Sequence, residues 1–131
     1  METIKEIKQL PERKKTFKIE NNTYDVEFPT TGGLIEIEIL KTQLSRGQYN
    51  EISNAGTVSG NYSRFMIDTI STFTILFPQL KKDLNVKTIS ELNPLDSKKL
   101  LKVYLKEVLP WLNSWMEILN SDDEETPINE K

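Results

Sequence analysis

Any bond chemistry in this chain rests on carboxylates, lysines and tyrosines, because it contains no histidine and no cysteine. Ser-His-Asp and Cys-His nucleophiles cannot be assembled. Imidazole and thiolate metal sites are excluded with them, so structural zinc is not expected. Glu36 and Glu38 are the closest approach to a carboxylate pair. They share the outer face of a strand, or lie about 200° apart on a helix. Neither arrangement flanks a scissile bond as a glycosidase requires. Asp122, Asp123, Glu124 and Glu125 lack the ligand spacing and turn glycine of a calcium loop. Gly56 and Gly60 lack the lysine of a phosphate loop and its strand-to-helix setting. Tyr49 and Tyr62 read as packing residues. The expectation is no enzyme, no catalytic residue, no metal and no cofactor.

Charge points the same way. There are 17 basic and 20 acidic residues, giving a net charge of -3. Nucleic-acid binding needs a basic face, and the one local cluster, Arg13, Lys14 and Lys15, is short and sits among acidic neighbours. The opening METIKEIKQLPERKK is too charged for a signal peptide. No run reaches the roughly 18 apolar residues of a membrane span. An intracellular, cytoplasmic protein without nucleic-acid or membrane partners is expected.

The elements that would position a site are mostly helical. Residues 1–15 read as a short helical or mobile arm, with Ile4, Ile7 and Leu10 at helical spacing and Pro11 as its stop. Residues 16–28, TFKIENNTYDVEF, alternate apolar and polar on both sides of Asn21-Asn22 and predict a hairpin with its turn there. That turn sets Ile19 opposite Tyr24, Phe17 opposite Val26 and Lys18 opposite Asp25. PTTGG at 29–33 reads as a break. Residues 34–46 carry two signals. LIEIEIL alternates as a strand does. Leu40 and Leu44 follow Ile37 at helical spacing, and Gly47 sits where a helix C-cap belongs. Helix is favoured, with a short strand passing into a helix as the alternative.

Residues 48–62 read as a loop with one helical turn, and 63–77 as the central helix, built on Phe65, Met66, Ile70, Phe73 and Phe77. Thr88 and Glu91 stand in capping-box spacing. Residues 95–120 form the longest predicted helix, capped by Asp96 or Ser97 and kinked by Pro110. Its seam is Leu101, Leu105, Val108, Leu112, Trp115 and Leu119. Residues 121–131 are acidic and polar and read as a disordered tail. The whole is an α+β, mostly helical chain: an N-terminal β-hairpin packed on a small helical bundle, one domain over 16–120.

The outlying end of that seam, Trp111, Trp115, Met116 and Leu119, is more apolar than one small domain needs. The whole seam can pack on the 63–77 helix and the hairpin as core; alternatively, because tryptophan and methionine are enriched in protein interfaces, these four residues form a protein-binding surface.

From KTFKIENNTYDVEFPTTGGLIEIEILKTQLSRGQYNEI onward the chain resembles tail assembly chaperones of tailed bacteriophages. The resemblance runs over residues 16–119. It consists of a hairpin, then a helix bearing Ile35-Glu36-Ile37-Glu38, then a helical half with Pro78 and Leu109-Pro110-Trp111. It implies an oligomerising chaperone, acting in the cytoplasm of the bacterial host, that covers the long apolar helices of a tape-measure protein during virion assembly. A structural virion component, such as a connector or tail-completion protein, and a generic protein-binding module remain as alternatives.

Overall fold

The computed structural model describes residues 10–121. The helical pattern read at Ile4 and Ile7 and the tail from Asp122 onward lie outside the described residues. The chain begins with two antiparallel strands, β1 (Lys14–Ile19) and β2 (Asn22–Glu27). The hairpin therefore starts two residues before the expected position 16. Its turn falls on Glu20-Asn21, not on Asn21-Asn22, and Glu20 takes a positive φ of 59°. Moving a two-residue turn by one position slides the register by two. Phe17 now faces Tyr24, Lys15 faces Val26 and Ile19 faces Asn22. Asp25 meets Thr16, whose hydroxyl donates to it at 2.7 Å, and not Lys18. A shift of two leaves every side chain on its original face. Phe17, Ile19 and Val26 are accordingly all buried, as the alternation predicts. The physical reason for the shift lies in packing: Phe17 and Tyr24, side by side, both pack on Phe77, with ring centroids 5.6 and 5.7 Å away. Aromatic packing outweighs the turn preference of an asparagine pair.

The ambiguous segment is helix α1 (Thr31–Ser45). PTTGG is its start. The Thr30 hydroxyl caps the helix by accepting the Gly33 N–H at 3.1 Å. A Cβ on Gly33 would stand 3.0 Å from Pro29 Cβ and 3.8 Å from Ile75 Cγ2, so glycine lets the chain fold back closely there. At the other end the left-handed residue is Arg46, φ 54°, with Gly47 one position later. The Gly47 N–H reaches the Thr42 carbonyl and the Arg46 N–H the Gln43 carbonyl, a Schellman closure.

A short helix α2 (Tyr49–Ser53) leads into α3 (Val58–Leu76), which begins five residues before the expected start at 63. Thr57 caps it through the Gly60 N–H. A Cβ on Gly60 would lie 2.9 Å from the Thr57 hydroxyl and 3.0 Å from the Ile52 carbonyl, so that glycine is what admits the α2–α3 corner. The centre of α3 is the middle of the molecule, with Thr69, Ser71, Thr72 and Phe73 all buried. Thr69 satisfies its hydroxyl on the Phe65 carbonyl. Helix α4 (Leu80–Asp83) follows Pro78. The capping box expected at Thr88 and Glu91 does not form. Residues Ile89–Glu91 make one 3-10 turn, and the Glu91 carboxylate accepts the Lys87 N–H at 3.1 Å.

Helix α5 (Pro94–Val103) is capped by Asn93, not by Asp96 or Ser97, and Pro94 occupies its first position, where a missing N–H costs nothing. A π turn over Tyr104–Val108 joins it to α6 (Leu109–Leu119). There the Leu109 N–H reaches five residues back to Tyr104. This wider turn comes immediately before Pro110, whose ring and missing N–H forbid the ordinary bond to Lys106. It also takes up an extra residue, which moves the inward face away from the predicted seam. The buried positions are Leu100, Tyr104, Val108, Trp111 and Trp115, while Leu105 and Leu119 are exposed. These residues and the hairpin's apolar face share one core with Phe73, Leu76, Phe77, Leu80 and Ile89. The architecture is α+β and mostly helical, with the hairpin laid on the helices.

Candidate protein-docking surface

Two of the four residues expected to form a contact surface are core. Trp111 and Trp115 are only 6% and 7% exposed. Their rings pack on Phe28, with Trp115 stacked at 5.0 Å, and Trp111 also meets the edge of Phe17 at 5.5 Å. Both indole N–H groups donate to the same acceptor, the Glu12 carbonyl, at 2.8 and 3.0 Å. The surplus of apolar area on this helix is thus used to hold residues 12–28 against α6. Trp111 and Trp115 are not available to a partner in this conformation. Met116 is half-buried against the core, and Leu119, 51% exposed, stands at the end of α6.

Glu38 and Tyr49, two of the side chains named from the sequence, belong to a structural network. Asp68 accepts the Tyr49 hydroxyl at 2.7 Å and pairs with Lys41 at 3.6 Å, and Lys41 also reaches Glu38 at 3.0 Å. This network ties α1, α2 and α3 together. Burial, and then the bond to Asp68, pushes the Tyr49 hydroxyl well above its usual range. Burial first and the bond to Asp83 second push Tyr24 up to about 12. Tyr104 is likewise raised to about 12, by burial and then by the charge of Asp68. Phenols held this firmly protonated cannot serve as bases near neutral pH. Arg13 lies 3.9 Å from Glu27. The groove beside Lys14 and Lys15 is lined equally by Glu12, Asp25 and Glu27, so its charges are mixed and not basic. Among the described residues no group of three or more carboxylates could hold a metal ion, and no helix is long and apolar enough to cross a membrane. Asp122 to Glu125 lie outside the described residues.

The apolar surface lies elsewhere, on α1. Successive turns of a helix advance about 100° per residue, so residues two apart point in nearly opposite directions. The alternating run Ile35, Ile37, Ile39 cannot bury all three members when it folds as a helix. Ile37 is buried, while Ile35 and Ile39 are 55% and 44% exposed on the far side. Together with Leu34, Glu38 and Thr42 they line a shallow depression whose walls are mainly apolar. Along the helix Gly32, Ile35, Ile39 and Thr42 are exposed on this side at steps of three, four and three, and Ile35 and Ile39 are the apolar pair among them. Reading the segment for strand or helix missed this surface, although the signal was present: a period-two pattern placed on a helix predicts an apolar outer face.

Leu10, Leu44, Val58, Tyr62, Leu95 and Leu105 are exposed as well, Val58 and Tyr62 one turn apart on α3. Compared with protein-family models, with curated proteins and with solved structures, the chain gives no match in any of the three.

Proposed function

We propose that the protein is a non-catalytic interaction protein that binds an apolar helix along the outer face of α1. The observation that carries this reading is the exposure of Ile35 and Ile39 on a helix whose opposite face, at Ile37, is anchored in the fold. A packed helix presenting a second apolar stripe needs no rearrangement to receive an amphipathic helix. The resemblance to tail assembly chaperones gives the function its class. The protein keeps a client's apolar helices, of the tape-measure kind, covered in the host cytoplasm until assembly buries them. Such work needs only surface and no bond chemistry.

Co-expression tests this. The chain is produced with a long, apolar, helical tape-measure protein, and soluble client and complex are measured. Ile35→Glu with Ile39→Glu leaves the fold intact by circular dichroism, because both side chains are outside the core, and abolishes client recovery. Full recovery with this folded variant refutes the α1 reading.

A further inference from the structure

The geometry points to the outer edge of β1 as a second docking site, which receives an extended acidic peptide of a protein partner as an added antiparallel strand. The site shares no residue with the depression on α1 and is independent of it.

The register decides which backbone groups are free. The Phe28 N–H donates to the Arg13 carbonyl at 2.7 Å, which makes these two a hydrogen-bonded pair. Such pairs alternate with non-bonded ones along an antiparallel ladder. Lys15–Val26, Phe17–Tyr24 and Ile19–Asn22 are therefore bonded across the hairpin, and Lys14, Thr16 and Lys18 turn their N–H and C=O groups away from β2. Among the described residues these outward groups have no backbone partner. An open row of this kind is a template for another strand. From Lys14 to Lys18 it runs for about 14 Å, the length of a peptide of about five residues.

The row borders a groove of about 540 Å³ between β1 and the C-terminal helix. Lys15 and Thr16 line one side, and Glu107, Pro110, Trp111 and Ser114 line the other, with no residue of β2. Glu12 bounds the groove, its carbonyl fastened to α6 by both indole N–H groups. At a strand edge beside such a groove, main-chain bonds give affinity and alternate side chains give specificity.

Charge selects the occupant. On the solvent face β1 presents Lys14 and Lys18 around Thr16, while β2 presents Glu27 opposite Lys14 and Asp25 opposite Thr16. Among the described residues neither lysine has an ion-pair partner. The basic row thus has an acidic row on one side and an open edge on the other. Edge lysines deter the apolar strands that drive aggregation and favour a strand whose outward residues are acidic. Directly opposed residues share a face, so the first, third and fifth peptide residues lie beside Lys18, Thr16 and Lys14. The second and fourth turn toward the groove, where Pro110 and Trp111 suit small apolar side chains. The matching pattern is acidic, apolar, polar, apolar, acidic.

The full chain, isotope-labelled, is titrated with capped Glu-Val-Thr-Val-Glu peptide to about 1 mM and followed by NMR. The expected result is saturable shifts of the Lys14, Thr16 and Lys18 amides, with those of Thr23, Asp25 and Glu27 unmoved. N-methylating the third peptide residue, whose N–H points at β1, weakens binding about tenfold or more. Lys14→Gln with Lys18→Gln weakens it about fivefold. Ser114→Trp fills the groove from α6 and abolishes binding. Thr16→Pro removes the central donor at a position where β2 takes no bond, and tests the same point should the bulky residue disturb α6. Ile35→Glu with Ile39→Glu leaves peptide binding unchanged, which separates this site from the one on α1. Absence of shifts over that range, equal binding of Lys-Val-Thr-Val-Lys, or indifference to N-methylation overturns the inference. Two other occupants overturn it as well: shifts of the same amides on concentrating the peptide-free chain assign the edge to a second copy, and slow hydrogen exchange of those amides in the dilute peptide-free chain assigns it to a segment of this chain.

Discussion

Replacing Trp115 by alanine separates a core role for the C-terminal tryptophans from a surface one. The side chain is 7% exposed and stacks on Phe28 at 5.0 Å. Truncating a buried aromatic residue to alanine costs about 3–5 kcal/mol, combining lost transfer energy with the cavity left behind. The lost hydrogen bond adds little, because the Glu12 carbonyl keeps the Trp111 N–H at 2.8 Å and is not orphaned. The expected loss is therefore about 4 kcal/mol. A chain of this size shifts by about 3–6 °C per kcal/mol, so Tm falls by about 12–24 °C. Urea unfolding followed by far-UV circular dichroism measures the loss directly and does not depend on the tryptophan removed. The control is Ile39→Glu, an exposed substitution expected to stay within about 1 kcal/mol of the parent. A cost below about 1 kcal/mol for Trp115→Ala, or an equal cost for Ile39→Glu, refutes the assignment of Trp115 to the core and of Ile39 to the surface.

Gly60→Ala destabilises by about 1–3 kcal/mol in urea unfolding despite alanine's better helix propensity, because its Cβ meets the Ile52 carbonyl at 3.0 Å; a stabilised variant contradicts the tight α2–α3 corner. Above pH 10 the unfolded chain releases tyrosine protons that the folded chain retains. Stability contributed by Tyr24, Tyr49 and Tyr104 is thus complete below pH 10 and is lost as pH rises toward 12; native-state phenolate absorbance that titrates wholly near pH 10 contradicts this. Arg46→Gly relieves the left-handed residue and raises stability by about 1 kcal/mol in thermal melts, and a destabilised variant contradicts the strain.

Sequence legibility followed the strength of local physics. The hairpin's buried face was readable from alternation at Phe17, Ile19, Tyr24 and Val26, because a register error of two preserves it. The partners across the strands were not readable, since Phe77, 53 residues beyond Tyr24 and 60 beyond Phe17, helps to choose them. Helix starts at Thr30 and Thr57 were hidden by glycines that read as breaks. Gly33 and Gly60 are instead close-approach positions inside first turns, a meaning that only the neighbouring elements supply. The C-terminal seam was misread because a heptad count assumes uniform winding, and the π turn before Pro110 changes that winding midway.

Apolar surplus is covered on α6 and left outside on α1. Apolar residues in excess of what one helix face can bury have two outcomes: other elements come to cover them, or they remain outside. On α6 the excess is covered by Phe28 and by residue 12, whose carbonyl accepts both indoles. On α1 the excess follows from the isoleucine alternation itself. Burying Ile37 turns Ile35 and Ile39 outward, and rotating the helix to bury those two would expose Ile37 and carry Lys41 away from Asp68. No rotation of α1 removes the outer stripe while the segment remains helical. Its exposure among the described residues is therefore a property of the sequence as folded.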